Sequence, residues 1–88
     1  MAELETTLIE RGKYGEYGYM ATTAQRIKEA MGGRAHLSAV QRESLDMIAT
    51  KIARLVCGDP NDRDSWHDIQ GYAKLAEDRC PVQPPATS

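Results

Sequence analysis

Between Ser38 and Gly58 the chain carries one long helical signal, and the rest of the sequence has to fit around it. Ser38 and Gln41 form the S-x-x-Q pattern, in which hydroxyl and amide side chains satisfy two orphan backbone N–H groups at a helix start. In the run QRESLDMIATKIARLVC, residues Leu45, Ile48, Ala49, Ile52, Leu55 and Val56 share one broad apolar face. Lys51 and Arg54 occupy the last two turns, where cations favour the helix dipole. Gly58 ends the run as a C-terminal glycine does, and Asp59-Pro60 follows at once.

The turn-forming loop GDPNDR leads to a second helix, predicted to start near Asp62 to Asp64. Its apolar stripe is Trp66, Ile69, Ala73, Ala76 and Cys80, with Trp66 as the core anchor of the hairpin, and Pro81 stops it. Upstream, Tyr17, Met20, Ala24, Ile27 and Met31 recur at steps of 3, 4, 3 and 4, a helical spacing closed by Gly32-Gly33. Before that, residues 3–11 give a short helical piece that stops at Gly12, followed by the glycine- and tyrosine-rich GKYGEYGYM. No stretch alternates as a strand does. The expected fold is all-α, a helical hairpin preceded by one amphipathic helix. It forms a single domain over residues 1–80, with residues 81–88 a disordered Pro-rich tail. So short a chain buries little surface and is marginally stable alone. Val40 and Met47 lie off the main apolar face of their helix and suggest a second packing surface. A homodimer or higher homo-oligomer, forming a helical bundle, is therefore expected.

Eleven basic residues against 13 acidic ones give a net charge of −2, with no excess to grip a nucleic-acid backbone. No apolar run nears the roughly 20 residues that span a bilayer. The acidic start MAELETTLIERG is no signal peptide. These features predict a cytoplasmic protein. Cys57 and Cys80 end two successive antiparallel helices, which sets them roughly 20 Å apart, where a disulfide needs ~4.4–6.8 Å between Cα atoms. Both are read as free thiols. His36 and His67 show no zinc-ligand spacing with them.

Two constellations carry chemistry. Glu43 and Asp46 are spaced i, i+3, and Asp64 and Asp68 are spaced i, i+4, so each pair shares a helix surface. Facing each other across a hairpin, they would hold Mg²⁺ through oxygen and, through it, a nucleotide's phosphates. The same acids also suit the first turns of helices for dipole reasons alone. In the Gly/Tyr segment, Gly12, Gly15 and Gly18 permit close approach at a helix start. There Lys13 would meet a phosphate, and Tyr14 and Tyr17 would stack a base. The alternative is a turn whose tyrosines pack on neighbouring helices. Lys51 and Arg54 are the cations available to offset phosphate charge.

The run QRESLDMIATKIARLVCGDPNDRDSWHDIQGYAKLAEDR, preceded by ERGKYGEY, resembles a family of small phage and prophage proteins of unassigned function. Those proteins share a Gly/Tyr start, a QREALDMIAHKIARI-type helix, a GDPN loop and a DSWxDIAGYAxL helix. Here the matching segments begin at Gly12, Gln41, Gly58 and Asp64 and cover about 70 of 88 residues. A wider similarity is to MazG-like all-α nucleoside triphosphate pyrophosphohydrolases, which bind Mg²⁺ through ExxE on one helix and ExxD on a later one. Glu43 and Asp46 stand for the first pair, and Asp68 with Tyr72 resembles the D-x-x-x-Y end of the second. The first pair ends in Asp, and Ser65 stands three before Asp68, with Asp64 one residue further back. The resemblance implies a nucleotide-binding protein, with a Mg²⁺-activated water attacking a phosphate if it is catalytic. It equally admits a non-catalytic phage accessory protein that sequesters a signalling nucleotide or binds a host protein. A third class, a structural or oligomerisation module, fits the same helices.

Overall fold

The computed structural model describes the backbone of residues 2–81 and the side chains of residues 16–81. The elements are α1 (Ala2–Ala30), a 3-10 turn at Arg34–His36, α2 (Ala39–Cys57) and α3 (Arg63–Glu77). No strand occurs among the described residues. The fold is all-α, as its periodicities require. No helix among the described residues is long and apolar enough to cross a membrane.

Helix α2 starts and stops where its sequence dictates. The Gln41 N–H donates to Ser38 Oγ at 3.1 Å, and the Ser38 N–H donates to Gln41 Oε1 at 2.9 Å, completing the capping box. At the other end the Gly58 N–H bonds the Arg54 carbonyl at 2.9 Å. A Cβ on Gly58 would also come within 2.9 Å of that oxygen, so only glycine closes the helix this tightly. Past the end of α1, Gly33 takes φ 87°, a left-handed conformation that glycine adopts without strain.

The N-terminal region departs from expectation. Residues 3–11 and the Gly/Tyr segment are not a separate piece and a turn, because α1 runs unbroken through both. An interior glycine costs about 1 kcal/mol in a helix, which slows a helix without breaking it. Glu, Lys, Leu and Met surround these glycines, and no proline removes a backbone hydrogen bond.

Helix α2 is the centre of a single layer, with α1 packed against it and α3 returning beside it as the second arm of the hairpin. The faces in contact are lined by small residues. Cys57 donates its Sγ–H to Thr23 Oγ1 at 3.3 Å, so the α2 row Ala49, Ala53, Cys57 looks at α1, where Ala24 is also buried. Ser44 and Leu55 lie toward α3, whose Ser65 is fully buried and donates to Asp62 Oδ2 at 2.6 Å. Such short side chains let helices approach closely, but they bury little apolar area each.

Helix α3 covers only part of the stripe expected. Its covered residues are Ser65, Ile69, Tyr72 and Ala76, while Trp66, Ala73 and Cys80 are exposed. The contact face keeps Ile69 and Ala76 but is rotated about 50° around the helix from the expected stripe. Trp66 is therefore no core anchor. It is 53% exposed, and its indole N–H donates to the Pro60 carbonyl at 2.8 Å, which lays the ring over the α2–α3 loop. The position beside α2 admits a serine and has no room for an indole. At the far end of α3, Lys74 donates to Asp78 at 2.9 Å, and that carboxylate raises the lysine's pKa above its ordinary value. Both side chains are exposed, so the pair adds little stability. The disorder expected of the tail concerns residues 82–88, which lie outside the described residues.

Candidate functional site

The apolar residues of α2 separate into three rows because its two neighbours sit on opposite sides. One row meets α3 and another meets α1. Between them run Leu45, Ile52 and Val56, spaced seven and four residues apart and only partly covered by the neighbouring helices. Their exposures are 37%, 37% and 69%. Helix α3 extends this surface. Ile52 and Val56 join Pro60, Trp66 and Ile69 around an apolar groove of about 480 Å³. Four large apolar side chains on one side of so small a layer are more than scattered surface residues.

The four carboxylates expected to bind Mg²⁺ do not converge. On α2, Ser44 looks toward α3. Glu43 lies about 100° and Asp46 about 200° away around the helix. Asp46 instead pairs with Arg34, ahead of the helix, and Asp68 pairs with Lys51 at 2.9 Å. Glu43 and Asp64 are exposed. Among the described residues no group of three or more His, Cys, Asp or Glu is placed to hold a metal ion. Asp46 and Asp68 are thus each engaged by a cation of the chain itself.

The nucleotide-binding residues are partly brought together. Tyr17 and Arg54 line one groove of about 270 Å³ with Glu16, Met20, Cys57 and Gly58, where α1 passes the end of α2. Lys51 does not line that groove; its side chain is 13% exposed and its ammonium is held by Asp68 at 2.9 Å. The side chains of Lys13 and Tyr14 lie outside the described residues. The helix start expected to cradle a phosphate is absent there, since α1 is continuous through the segment.

His36 and His67 are exposed, and both cysteines are free thiols. Sequence reasoning passed over Arg34, Ser44 and Ser65. The two serines had a readable signal, because each begins a row at steps of three and four that continues into Leu55 or Ala76. Arg34 had none, since nothing in a loop's sequence announces the partner 12 residues on. No protein-family model, curated protein or solved structure matches the chain.

Proposed function

We propose that this chain is a self-associating helical module, a homodimer joined through the side that carries Leu45, Ile52, Val56 and Trp66. The observation that supports it is that exposed apolar side. A single layer of helices leaves α2 covered on two flanks and only partly covered between them, most openly at Val56. The buried apolar side chains among the described residues are Ala24, Ala49, Ala53 and Leu55, three of them alanines. A second copy laid on that side completes the core, and an isologous contact closes after two chains. Leu45 and Ile52 are already about two-thirds covered, so Val56 and Trp66 gain most from association.

Sedimentation equilibrium tests this directly. The expected mass is twice the 9.8 kDa of one chain, with a melting temperature that rises with protein concentration. Val56→Glu should weaken association by at least about 100-fold, equivalent to ~2.8 kcal/mol, while leaving a helical monomer. A wild-type chain that stays monomeric into the high micromolar range, with a concentration-independent melting temperature, overturns the proposal.

A second reading, nucleotide binding, draws support from the shared groove of Tyr17 and Arg54. The tyrosine offers a stacking face and the guanidinium a phosphate contact. Glu16 on the same wall disfavours each added phosphate charge. Turnover with Mg²⁺, which the MazG-like resemblance implies, would require the Arg34–Asp46 and Lys51–Asp68 pairs to open. A thermal-unfolding screen of nucleotides with and without Mg²⁺ checks this reading. A ligand at 100 times its Kd adds about 2.7 kcal/mol, and Tyr17→Ala and Arg54→Ala should each abolish that gain. A flat screen sinks it.

A further inference from the structure

We propose that two chains also pair through the groove between the N-terminal end of α2 and the C-terminal end of α3, with a two-fold axis running along it. This contact is separate from the side that carries Leu45, Ile52 and Val56. Glu43 stands nine residues before Ile52, which sets it about 180° away around α2. Val40 and Ser44 form the α2 wall of the groove, and Tyr72 and Leu75 form the α3 wall. Its volume is about 330 Å³, and its surface is almost wholly carbon. The helices that make it leave Leu75 47% exposed.

The charges along this side name the occupant. Glu43 on the α2 wall and Arg79 on the α3 wall stand at the same end of the hairpin with opposite signs. Both are exposed, and neither forms an ion pair with another described residue. The signs reverse three turns away. Arg54 lies eleven residues after Glu43, and Asp64 lies eleven before Leu75, so each falls within about 20° of the same helix face. The Lys51–Asp68 pair fixes the register that brings Arg54 and Asp64 level. Three residues on along α2 and four back along α3 differ by only about 1.5 Å. Arg54 and Asp64 are likewise exposed, with no ion pair among the described residues. On this side α2 therefore runs from acidic to basic, and beside it α3 runs from basic to acidic.

A two-fold axis parallel to the helices lays α2 of one chain over α3 of the other, level by level. Glu43 then meets the partner's Arg79, Arg54 meets the partner's Asp64, and symmetry makes each contact twice. Leu75 falls against the other chain's α2 wall, beside the partner's Val40, and covers carbon that a single chain leaves in water. Arg79 can still reach across, because its bond to the Leu75 carbonyl at 2.8 Å leaves other guanidinium N–H groups to donate. A partner of uniform charge is repelled at one end of the groove, whereas a second copy is matched at both. So short a groove buries little area, and small interfaces are transient. This contact therefore forms at higher protein concentration than the pairing through Val56. Where both form, they lie on opposite sides of the layer, and dimers add onward as a stack.

The test isolates this contact in Val56→Glu chains at about 1 mM, where a contact with a Kd of about 1 mM has half its chains paired. Sedimentation equilibrium should show dimers at low salt that dissociate as salt is added, because exposed charges are screened. Glu43→Arg and Arg79→Glu should each weaken pairing by about tenfold, since each turns two attractions into two repulsions. Mixing the two variants should restore pairing, because each supplies the charge that the other lacks. Ion pairs formed within one chain would not be rescued by mixing. Circular dichroism checks that each variant keeps its helices, and both substitutions are at exposed positions. A Val56→Glu chain that stays monomeric at this concentration overturns the proposal. So does indifference to both charge reversals, or a failure to recover on mixing. A wild-type dimer that survives Val56→Glu but dissociates with Glu43→Arg would sink the pairing through Leu45 and Val56 and leave this contact standing.

Discussion

Leu55→Ala is expected to lower the unfolding free energy by about 2–5 kcal/mol. Leu55 is 7% exposed and is the one large apolar side chain buried among the described residues, next to three alanines. Truncating it leaves a cavity that neighbours this small cannot collapse to fill. A chain of this length has roughly 4–13 kcal/mol in total, at ~0.05–0.15 kcal/mol per residue. The loss should therefore lower the melting temperature by about 10 °C or more and leave a measurable unfolded fraction at room temperature. The control is one residue away. Val56 is 69% exposed, so Val56→Ala should cost no more than about 0.5 kcal/mol in dilute protein, and more only where chains associate. Urea titrations of both variants at low micromolar concentration decide the matter. Equal losses would mean that the burial assigned to α2 is rotated by a residue.

That contrast between neighbours also marks what the sequence shows and what it conceals. The limits of α2 were legible because they are local: Ser38, Gln41 and Gly58 act within a few residues of themselves. The broad apolar face was legible as well, and its division was not. Leu45, Ala49 and Leu55 belong to one face by spacing, yet one is open, one meets α1 and one turns toward α3. Which of these holds depends on where two other helices lie, and periodicity carries no such information. The same cause misplaced Trp66. Size and apolarity suggested an anchor, but the closeness of α2 and α3 selects Ser65, and the indole remains outside over Pro60. Continuity of α1 was hidden for another reason, since three glycines weaken a helix without specifying what replaces it. For the candidate site, identical carboxylate spacing serves a metal or an ion pair. The arginine that holds Asp46 lies in a loop, where no pattern points to it.

The Lys51–Asp68 pair gives the second large effect, and the effect should be lopsided. Lys51 is 13% exposed in its side chain and Asp68 is 41% exposed, at 2.9 Å from each other. Asp68→Ala removes the counter-charge of a lysine whose side chain is largely covered, and should cost about 1–3 kcal/mol. The 3–5 kcal/mol typical of breaking a fully buried pair is not reached, because water still touches this site. Lys51→Met keeps the apolar stem and removes the charge. Its stranded partner is the carboxylate that solvent can hydrate, so the loss should stay below about 1 kcal/mol. The double variant should resemble Lys51→Met alone, since without the ammonium the carboxylate has nothing left to satisfy. Repeating the series with Mg²⁺ separates a structural pair from a metal ligand. A pair gives the same losses with and without the ion, whereas a ligand makes Mg²⁺ stabilise the wild type and leave Asp68→Ala unchanged. A greater loss for Lys51→Met than for Asp68→Ala would reverse the assignment of which charge the hairpin buries.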